Sequence, residues 1–151
     1  MSLFFITGNE HKLAEVQAIV PHVQQLDLDV PEVQSLDPKE VIRAKLQAAR
    51  ERRPDESFIV EDTSLVFDCL NSLPGPFIKW FVQALGRDGL AELALKGKSQ
   101  KATARTMIGY AQPGKEPVFF EGTIDGHIVA PKGESGFGWD PIFILDGYEK
   151  T

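Results

Sequence analysis

The chain has 151 residues, 42% of them hydrophobic and 25% charged, and it carries a formal net charge of −6. This size fits one compact domain that buries a core, and the acidic balance disfavours nucleic acid and anionic membranes as partners, since both select basic surfaces. No apolar run approaches the roughly 20 residues needed to span a bilayer, and Met1-Ser2-Leu3 lacks the charged-then-apolar order of a signal peptide. The single Cys69 cannot form an internal disulfide, so we expect a cytoplasmic protein in which this side chain packs.

The first predicted elements are a strand at 3–6 and a helix at 11–20, joined through Thr7-Gly8-Asn9-Glu10-His11-Lys12. A strand that passes into a helix through a small, donor-rich turn presents backbone N–H groups and the positive end of the helix dipole to one point. Lys12 adds a positive charge there. The pattern predicts an anion site, with an ordinary strand-to-helix turn as the alternative.

A second helix is predicted at 38–52. Asp37 is its N-cap, Pro38 takes the first helical position and Glu40 the third, which is close to a capping box. Lys45 falls on the border of the apolar stripe of this helix. Its stem either covers apolar surface while the ammonium reaches water, or its charge faces a phosphate. The spacing leaves both alternatives open.

Two adjacent carboxylates, Glu61 and Asp62, follow the apolar run 58–60, which predicts a buried strand. In open α/β sheets ligands gather beyond the C-terminal ends of strands, so we expect these side chains at a site. Because successive strand residues point to opposite faces, one of the two should face the site while the other braces it. A turn capped by Asp62 and Thr63 is the alternative.

A rigid Pro-Gly-Pro turn precedes a helix predicted at 77–85. Gly86 then supplies a C-terminal stop, and a further helix is predicted at 88–96. Lys79 comes early in the first of these helices, beside Trp80. A lysine next to a tryptophan more often makes a packing or cation–π contact than a functional one, so a phosphate role for Lys79 is the less common alternative.

The remaining elements are strands, predicted at 103–111, 117–123, 127–130 and 142–145. The turn 112–115 joins the first two as a hairpin, so the sheet should be mixed. A glycine-rich loop before the last strand carries Phe137, Trp139 and Asp140. Glycine permits conformations that present aromatic rings to a flat ligand such as a purine base, and closure of the core is the alternative.

Five motifs stand in order along the chain: Thr-Gly-Asn-x-x-Lys at 7–12, Glu32 after Val30-Pro31, Glu-Asp-Thr at 61–63, Leu-Pro-Gly-Pro-Phe-Ile-Lys-Trp-Phe at 73–81 and Phe-Gly-Trp-Asp-Pro at 137–141. Together they resemble the inosine triphosphate pyrophosphatase family, over essentially the whole chain. The resemblance implies a mixed α/β fold in a single domain over residues 1–151. It implies an elongated central sheet with flanking helices that form two lobes around a nucleotide cleft.

The resemblance also implies hydrolysis of the purine nucleoside triphosphates ITP, dITP and XTP between the α- and β-phosphates. The implied cofactor is Mg²⁺, with Mn²⁺ as a substitute, and the implied assembly is a homodimer. The catalytic residues would be Asp62, Lys12 and Lys45, and the metal ligands Glu32, Asp62 and Glu61. The substrate-binding residues would be Thr7, Gly8, Asn9, Glu10, His11, Lys12, Lys45, Asp62, Thr63, Lys79, Phe137, Gly138, Trp139 and Asp140.

Members of that family continue beyond the position of Thr151 into a segment with a further phosphate-facing lysine and a Ser-His-Arg motif. We therefore expect this chain to be C-terminally truncated relative to the family, as a fragment or as a short form. One alternative function is a catalytically impaired nucleotide-binding or interaction module. Another is a related septum-associated phosphatase that prefers pyrimidine or modified nucleotides, and the Phe-Gly-Trp-Asp loop argues against it.

Overall fold

The computed structural model describes residues 2–132 and 138–151. Within them the chain forms three α-helices and seven strands. The helices are α1 (Glu10–Ile19), α2 (Pro38–Arg52) and α3 (Ile78–Leu95). The strands are β1 (Leu3–Ile6), β2 (Gln24–Leu26), β3 (Ser57–Phe67), β4 (Pro74–Gly75), β5 (Lys101–Ala111), β6 (Val118–Ile128) and β7 (Phe143–Leu145). Among the described residues, no helix has both the length and the apolar character that crossing a membrane requires.

The strands form one sheet in the order β2-β1-β3-β5-β6-β7, and β4 pairs with β3 outside this path. β1 runs parallel to β2 and to β3, whereas β4 is antiparallel to β3 and β7 is antiparallel to β6. The predicted mixed sheet is therefore confirmed. The short turn after β5 is present as well, and in it the Lys115 N–H donates to the Gln112 carbonyl at 3.2 Å.

The contacts within the chain define two compact units. The first contains the chain up to Asp62 together with Met107–Glu121, and apolar side chains of β1, α2, β3 and β5 form its core. The second contains Thr63–Thr106 and Gly122–Thr151, and its core draws mainly on β3, α3 and the residues from Ile142 onward. The organisation as a single domain over residues 1–151 stays a prediction.

The helix α2, which carries Lys45, begins and ends where the sequence predicts. Asp37 caps it by accepting a hydrogen bond from the Lys39 N–H at 2.9 Å. The cap differs from a capping box in both contacts. Asp37 accepts from Lys39, the second helical residue, rather than from the third, and Glu40 accepts from the Ser35 hydroxyl rather than from the Asp37 N–H. The same Ser35 oxygen accepts from the Asp37 N–H at 3.0 Å, so Ser35 bridges the two residues that a capping box joins directly.

Several predicted strand bounds are wrong. β3 does not end before Glu61, so Glu61 and Asp62 lie inside this strand rather than beyond its end. The strands predicted at 117–123 and 127–130 are one strand, β6, and the prediction misses β2 and β4. Hydrogen bonds to neighbouring strands hold these polar stretches extended, and local sequence carries little of that information.

The helix α3 contains a break at Gly86, which has φ 68° and ψ 177°. The helices predicted at 77–85 and 88–96 correspond to the two parts of α3 on either side of this break. Gly86 was expected as a stop and is instead the joint between the two parts. A side chain at this φ would be strained, so glycine is the residue that fits the joint.

Gly109 on β5 lets α2 pack closely, because a Cβ there would meet Ile42 and would lie 2.9 Å from Leu46 Cδ1. Both neighbours are fully buried, so we expect Gly109→Ala to lower the free energy of unfolding by about 1–3 kcal/mol through overpacking. Gly122→Ala on β6 is the matched control, since a Cβ there meets nothing within 4 Å. Urea unfolding of the parent and both variants measures the difference. Equal unfolding midpoints for the three proteins would contradict the prediction.

Candidate active site

The turn between β1 and α1 is held by its own side chains. Asn9 Oδ1 accepts from the backbone N–H of His11 at 2.9 Å and of Lys12 at 3.3 Å, and Thr7 Oγ1 accepts from the Asn9 N–H at 3.0 Å. Gln25 of β2 donates its side-chain amide to the Thr7 carbonyl at 3.0 Å. The N–H groups of His11 and Lys12, which we expected to face an anion, are thus engaged by Asn9. The positive charge at this turn comes from the Lys12 side chain.

Lys12 is paired with Glu61 of β3. Its Nζ lies 3.0 Å from Glu61 Oε2 and 3.3 Å from Glu61 Oε1. The Glu61 side chain is 12% exposed and that of Lys12 is 31% exposed, so water screens the pair only in part. Glu10, Gly8 and His11, the other predicted residues of the turn, are exposed.

Lys45 adds a second ammonium group in the same unit, from α2. Its Nζ lies 3.9 Å from Glu32 Oε1, and its side chain is 14% exposed, whereas that of Glu32 is 47% exposed. A lysine that only covered apolar surface would extend its ammonium into water. The side chain of Lys45 is largely buried and has an acidic neighbour, which favours the functional alternative over the packing one.

Asp62 interacts electrostatically with both ion pairs, that of Lys12 with Glu61 and that of Lys45 with Glu32. Its burial raises the pKa of the carboxyl above the ordinary value, Lys45 and Lys12 lower this pKa, and Glu61 and Glu32 raise it. Its Oδ2 atom is buried and has no hydrogen-bond partner. Because a buried polar atom without a partner is costly, this oxygen is a place where a cation or a water molecule would be strongly stabilised.

The donor types around Asp62 fit Mg²⁺, which prefers carboxylate oxygens. The Oδ2 atom of Asp62 can take such an ion directly, while Glu61 is paired with Lys12 and Glu32 lies near Lys45. Within residues 2–132 and 138–151, no three His, Cys, Asp or Glu side chains are already arranged as a metal site. In this arrangement Glu61 and Glu32 each have a lysine neighbour, Lys12 and Lys45 respectively.

The second unit contains the other predicted residues. The Lys79 ammonium lies over the Trp80 ring, 5.1 Å from its centroid, which is the contact of the packing alternative. Thr63 is half-buried on β3. Phe137 falls outside the described residues.

The described part of the Phe-Gly-Trp-Asp motif is well anchored. Trp139 contacts Phe143 edge to face, with 5.6 Å between the ring centroids and 89° between the planes, and Asp140 is exposed at the start of a short 3₁₀ turn. Gly138 has φ 55°, and its carbonyl accepts a hydrogen bond from Arg87 Nε at 2.7 Å. No local pattern in the sequence points to Arg87, because 51 positions separate it from Gly138.

Residues 3–151 match the model of the Ham1 family, so the match includes every candidate residue described above. The chain belongs to the Ham1 family. The inosine triphosphate pyrophosphatase of Puccinia graminis f. sp. tritici is 42% identical to this Ham1-family chain, over 100% of the chain and 83% of the relative. The inosine triphosphate pyrophosphatase of Batrachochytrium dendrobatidis is 43% identical, over 99% of the chain and 80% of the relative.

Among solved structures, the nucleoside-triphosphatase / dITP/XTP pyrophosphatase of Mycobacterium abscessus superposes with a TM-score of 0.77 at 25% identity. The superposition covers 100% of this Ham1-family chain and 87% of the other. These comparisons confirm the predicted family and its mixed α/β fold.

We expect Asp62→Asn to stabilise the ligand-free protein at neutral pH. The raised pKa means that ionising Asp62 costs more in the folded chain than in the unfolded one. The contribution of Asp62 to the free energy of unfolding therefore falls as the pH rises from the ordinary value of 3.8 through the raised pKa, and the amide variant does not lose this contribution. Thermal melts in a chelating buffer should give the variant the higher Tm at neutral pH, with a gap that shrinks in acid.

A lower Tm for this variant at neutral pH would contradict that prediction. It would mean that Lys45 and Lys12 stabilise the Asp62 carboxylate by more than burial destabilises it.

Proposed function

We propose that this chain is a nucleoside triphosphate pyrophosphatase that hydrolyses ITP, dITP and XTP to the monophosphate and pyrophosphate. Relatives that are 42% and 43% identical are named inosine triphosphate pyrophosphatase, which supports the reaction and the base class. The observation that carries the proposal is the half-buried Asp62 carboxyl, which has one buried, unpartnered oxygen and two lysines that act on its ionisation. Such a group can orient water toward a phosphorus atom while the lysines neutralise phosphate charge.

Binding of the triphosphate would exchange the partners of both lysines. In the ligand-free chain Lys12 is paired with Glu61, and Lys45 lies near Glu32. The phosphate chain offers each ammonium several charged oxygens, with which it forms charge-assisted hydrogen bonds. Phosphoryl transfer needs mainly positioning and charge neutralisation from a protein, and these two lysines supply both.

Asp62 would act on the attacking water. The water oxygen forms a bond to the α-phosphorus, the bond from that phosphorus to the bridging oxygen breaks, and pyrophosphate leaves. The Asp62 carboxylate would orient this water by accepting a hydrogen bond from it. Because a carboxylate that also holds Mg²⁺ is a weak base, the proposed role of Asp62 is to position the water rather than to store its proton.

We further propose that Glu32, Glu61 and Asp62 hold Mg²⁺, for which Mn²⁺ can substitute. When bound, the ion neutralises phosphate charge and polarises phosphoryl oxygens. The support is the carboxylate chemistry and the unpartnered Oδ2 of Asp62. The contact between Lys12 and Glu61 joins a proposed phosphate ligand to a proposed metal ligand, so the two would respond together when the triphosphate and the ion bind.

The other predicted contacts belong to the same proposal. The turn residues Thr7, Gly8, Asn9, Glu10 and His11 are proposed to contact phosphate, and Thr63, Lys79, Phe137, Gly138, Trp139 and Asp140 stay predicted nucleotide contacts. A homodimer is proposed on the family resemblance alone. A cytoplasmic location is proposed on the single cysteine, Cys69, which cannot form an internal disulfide.

Pyrophosphate release from ITP, XTP and ATP in the presence of Mg²⁺ tests the activity. We expect turnover of ITP and XTP, and turnover of ATP lower by about ten- to a hundredfold. The reason is part of the proposal: backbone donors would recognise the 6-oxo group, and a 6-amino group would leave them unpaired. Asp62→Asn is the negative control, and we expect its rate of pyrophosphate release to be lower by a factor on the order of 10²–10⁴. Nucleotide binding without any turnover would favour the impaired module, and a preference for pyrimidine nucleotides would favour the septum-associated type.

The role of Lys45 is tested by Lys45→Met, which keeps the apolar stem and removes the charge. We expect the affinity for a non-hydrolysable ITP analogue with Mg²⁺ to fall by about 1.5–3 kcal/mol, the value of a hydrogen bond to a charged group. Lys39→Met is the matched control, because Lys39 is an exposed lysine of the same helix that lies over the Phe119 ring. Calorimetric titration measures the affinities. If Lys45→Met and Lys39→Met both bind the analogue as tightly as the parent, Lys45 has a packing role only.

A further inference from the structure

The peptide groups on both sides of Trp139 are fixed by hydrogen bonds. The carbonyl of Gly138, in the peptide that leads into Trp139, accepts from Arg87 Nε at 2.7 Å. The carbonyl of Trp139 itself accepts from the Ile142 N–H at 3.0 Å, and Ile142 is fully buried. Since a peptide group is planar, these two bonds set the direction from which the Trp139 side chain leaves the backbone.

The bond from Arg87 depends on the break in α3. Gly86, with φ 68° and ψ 177°, ends the first part of the helix, and Arg87 is the first residue of the second part. Arg87 is half-buried, so water competes only in part for its contact with Gly138. A guanidinium suits this task, because it presents several N–H donors in a rigid plane and stays charged at all relevant pH values.

We propose that Arg87 is a positioning residue for recognition of the nucleotide base. It acts through the backbone: it holds the Gly138 carbonyl, and thereby the orientation of Trp139 and the start of the turn at Asp140. This inference rests on the proposed function, in which Trp139 and Asp140 contact the base and sugar. Arg87 itself is not expected to touch the nucleotide.

The kinetic test compares ITP, which has a nucleotide base, with tripolyphosphate, which has none. We expect Arg87→Met to raise the KM for ITP by about tenfold, the order of one lost charge-assisted hydrogen bond, and to change kcat by less than about threefold. Binding of tripolyphosphate with Mg²⁺ should stay unchanged, because this anion has no base. Arg52→Met, at the exposed end of α2, is the matched control and should behave as the parent.

A second test needs no nucleotide. The chain has two tryptophans, so Trp80→Phe leaves Trp139 as the single tryptophan, and its emission is excited at wavelengths that tyrosine does not absorb. In that background, Arg87→Met should shift the Trp139 emission to longer wavelength and increase its quenching by acrylamide, because the backbone before Trp139 is released. Arg87→Lys keeps a charged donor, so its emission wavelength and its quenching should lie between those of Arg87→Met and those of the Trp80→Phe background. Thermal melts accompany each variant, and Arg87→Lys carries the test if Arg87→Met does not fold.

Three outcomes would overturn the proposal: unchanged Trp139 emission in Arg87→Met, an unchanged KM for ITP, or equal weakening of ITP and tripolyphosphate. The last would assign Arg87 a general structural role. Failure of the proposed function looks different, because the parent would then hydrolyse no ITP while the fluorescence test would still report on the contact between Arg87 and Gly138.

Discussion

The burial of one carboxyl group, that of Asp62, is the constraint around which the first unit is arranged. Burial opposes its ionisation, and the two lysines that favour ionisation arrive on different elements, Lys12 on α1 and Lys45 on α2. β3 adds Glu61 as the preceding residue in the strand. Each of these elements therefore contributes a charge, and α2 and β3 also contribute apolar side chains to the core of the unit. Removal of any one charge would change the ionisation of Asp62, so the site behaves as a unit rather than as a set of independent residues.

The arrangement lowers stability where the chemistry would take place, and close packing nearby offsets the loss. A buried oxygen without a partner costs about 1–3 kcal/mol, and Asp62 Oδ2 is such an atom. In the same unit, the missing side chain of Gly109 allows Ile42 and Leu46 of α2 to approach β5. Apolar contacts thus fix the helix from which the Lys45 side chain extends.

The sequence predicts those features whose causes are local. The bounds of α2 follow from Asp37 and the proline after it, which act within one helical turn. The lengths of β3 and β6 are set by pairing with other strands, so they cannot be predicted from the residues of each strand alone. The same holds for the site. The sequence identifies the charged residues, but it does not predict that Lys12 pairs with Glu61, 49 positions away, or that Arg87 binds the Gly138 carbonyl.

The ion pair of Lys12 and Glu61 also bears on the abundant small anions that compete with a nucleotide. A single orthophosphate or sulfate ion that approaches Lys12 must separate a contact of 3.0 Å, and it gains one ammonium group in return. A triphosphate separates the same contact, but its further phosphates reach other cations within the same binding event, where the effective concentration is high. On the proposed function, the resting pair would set a threshold against short anions. It would make the number of linked phosphates, rather than negative charge as such, the property to which this part of the protein responds.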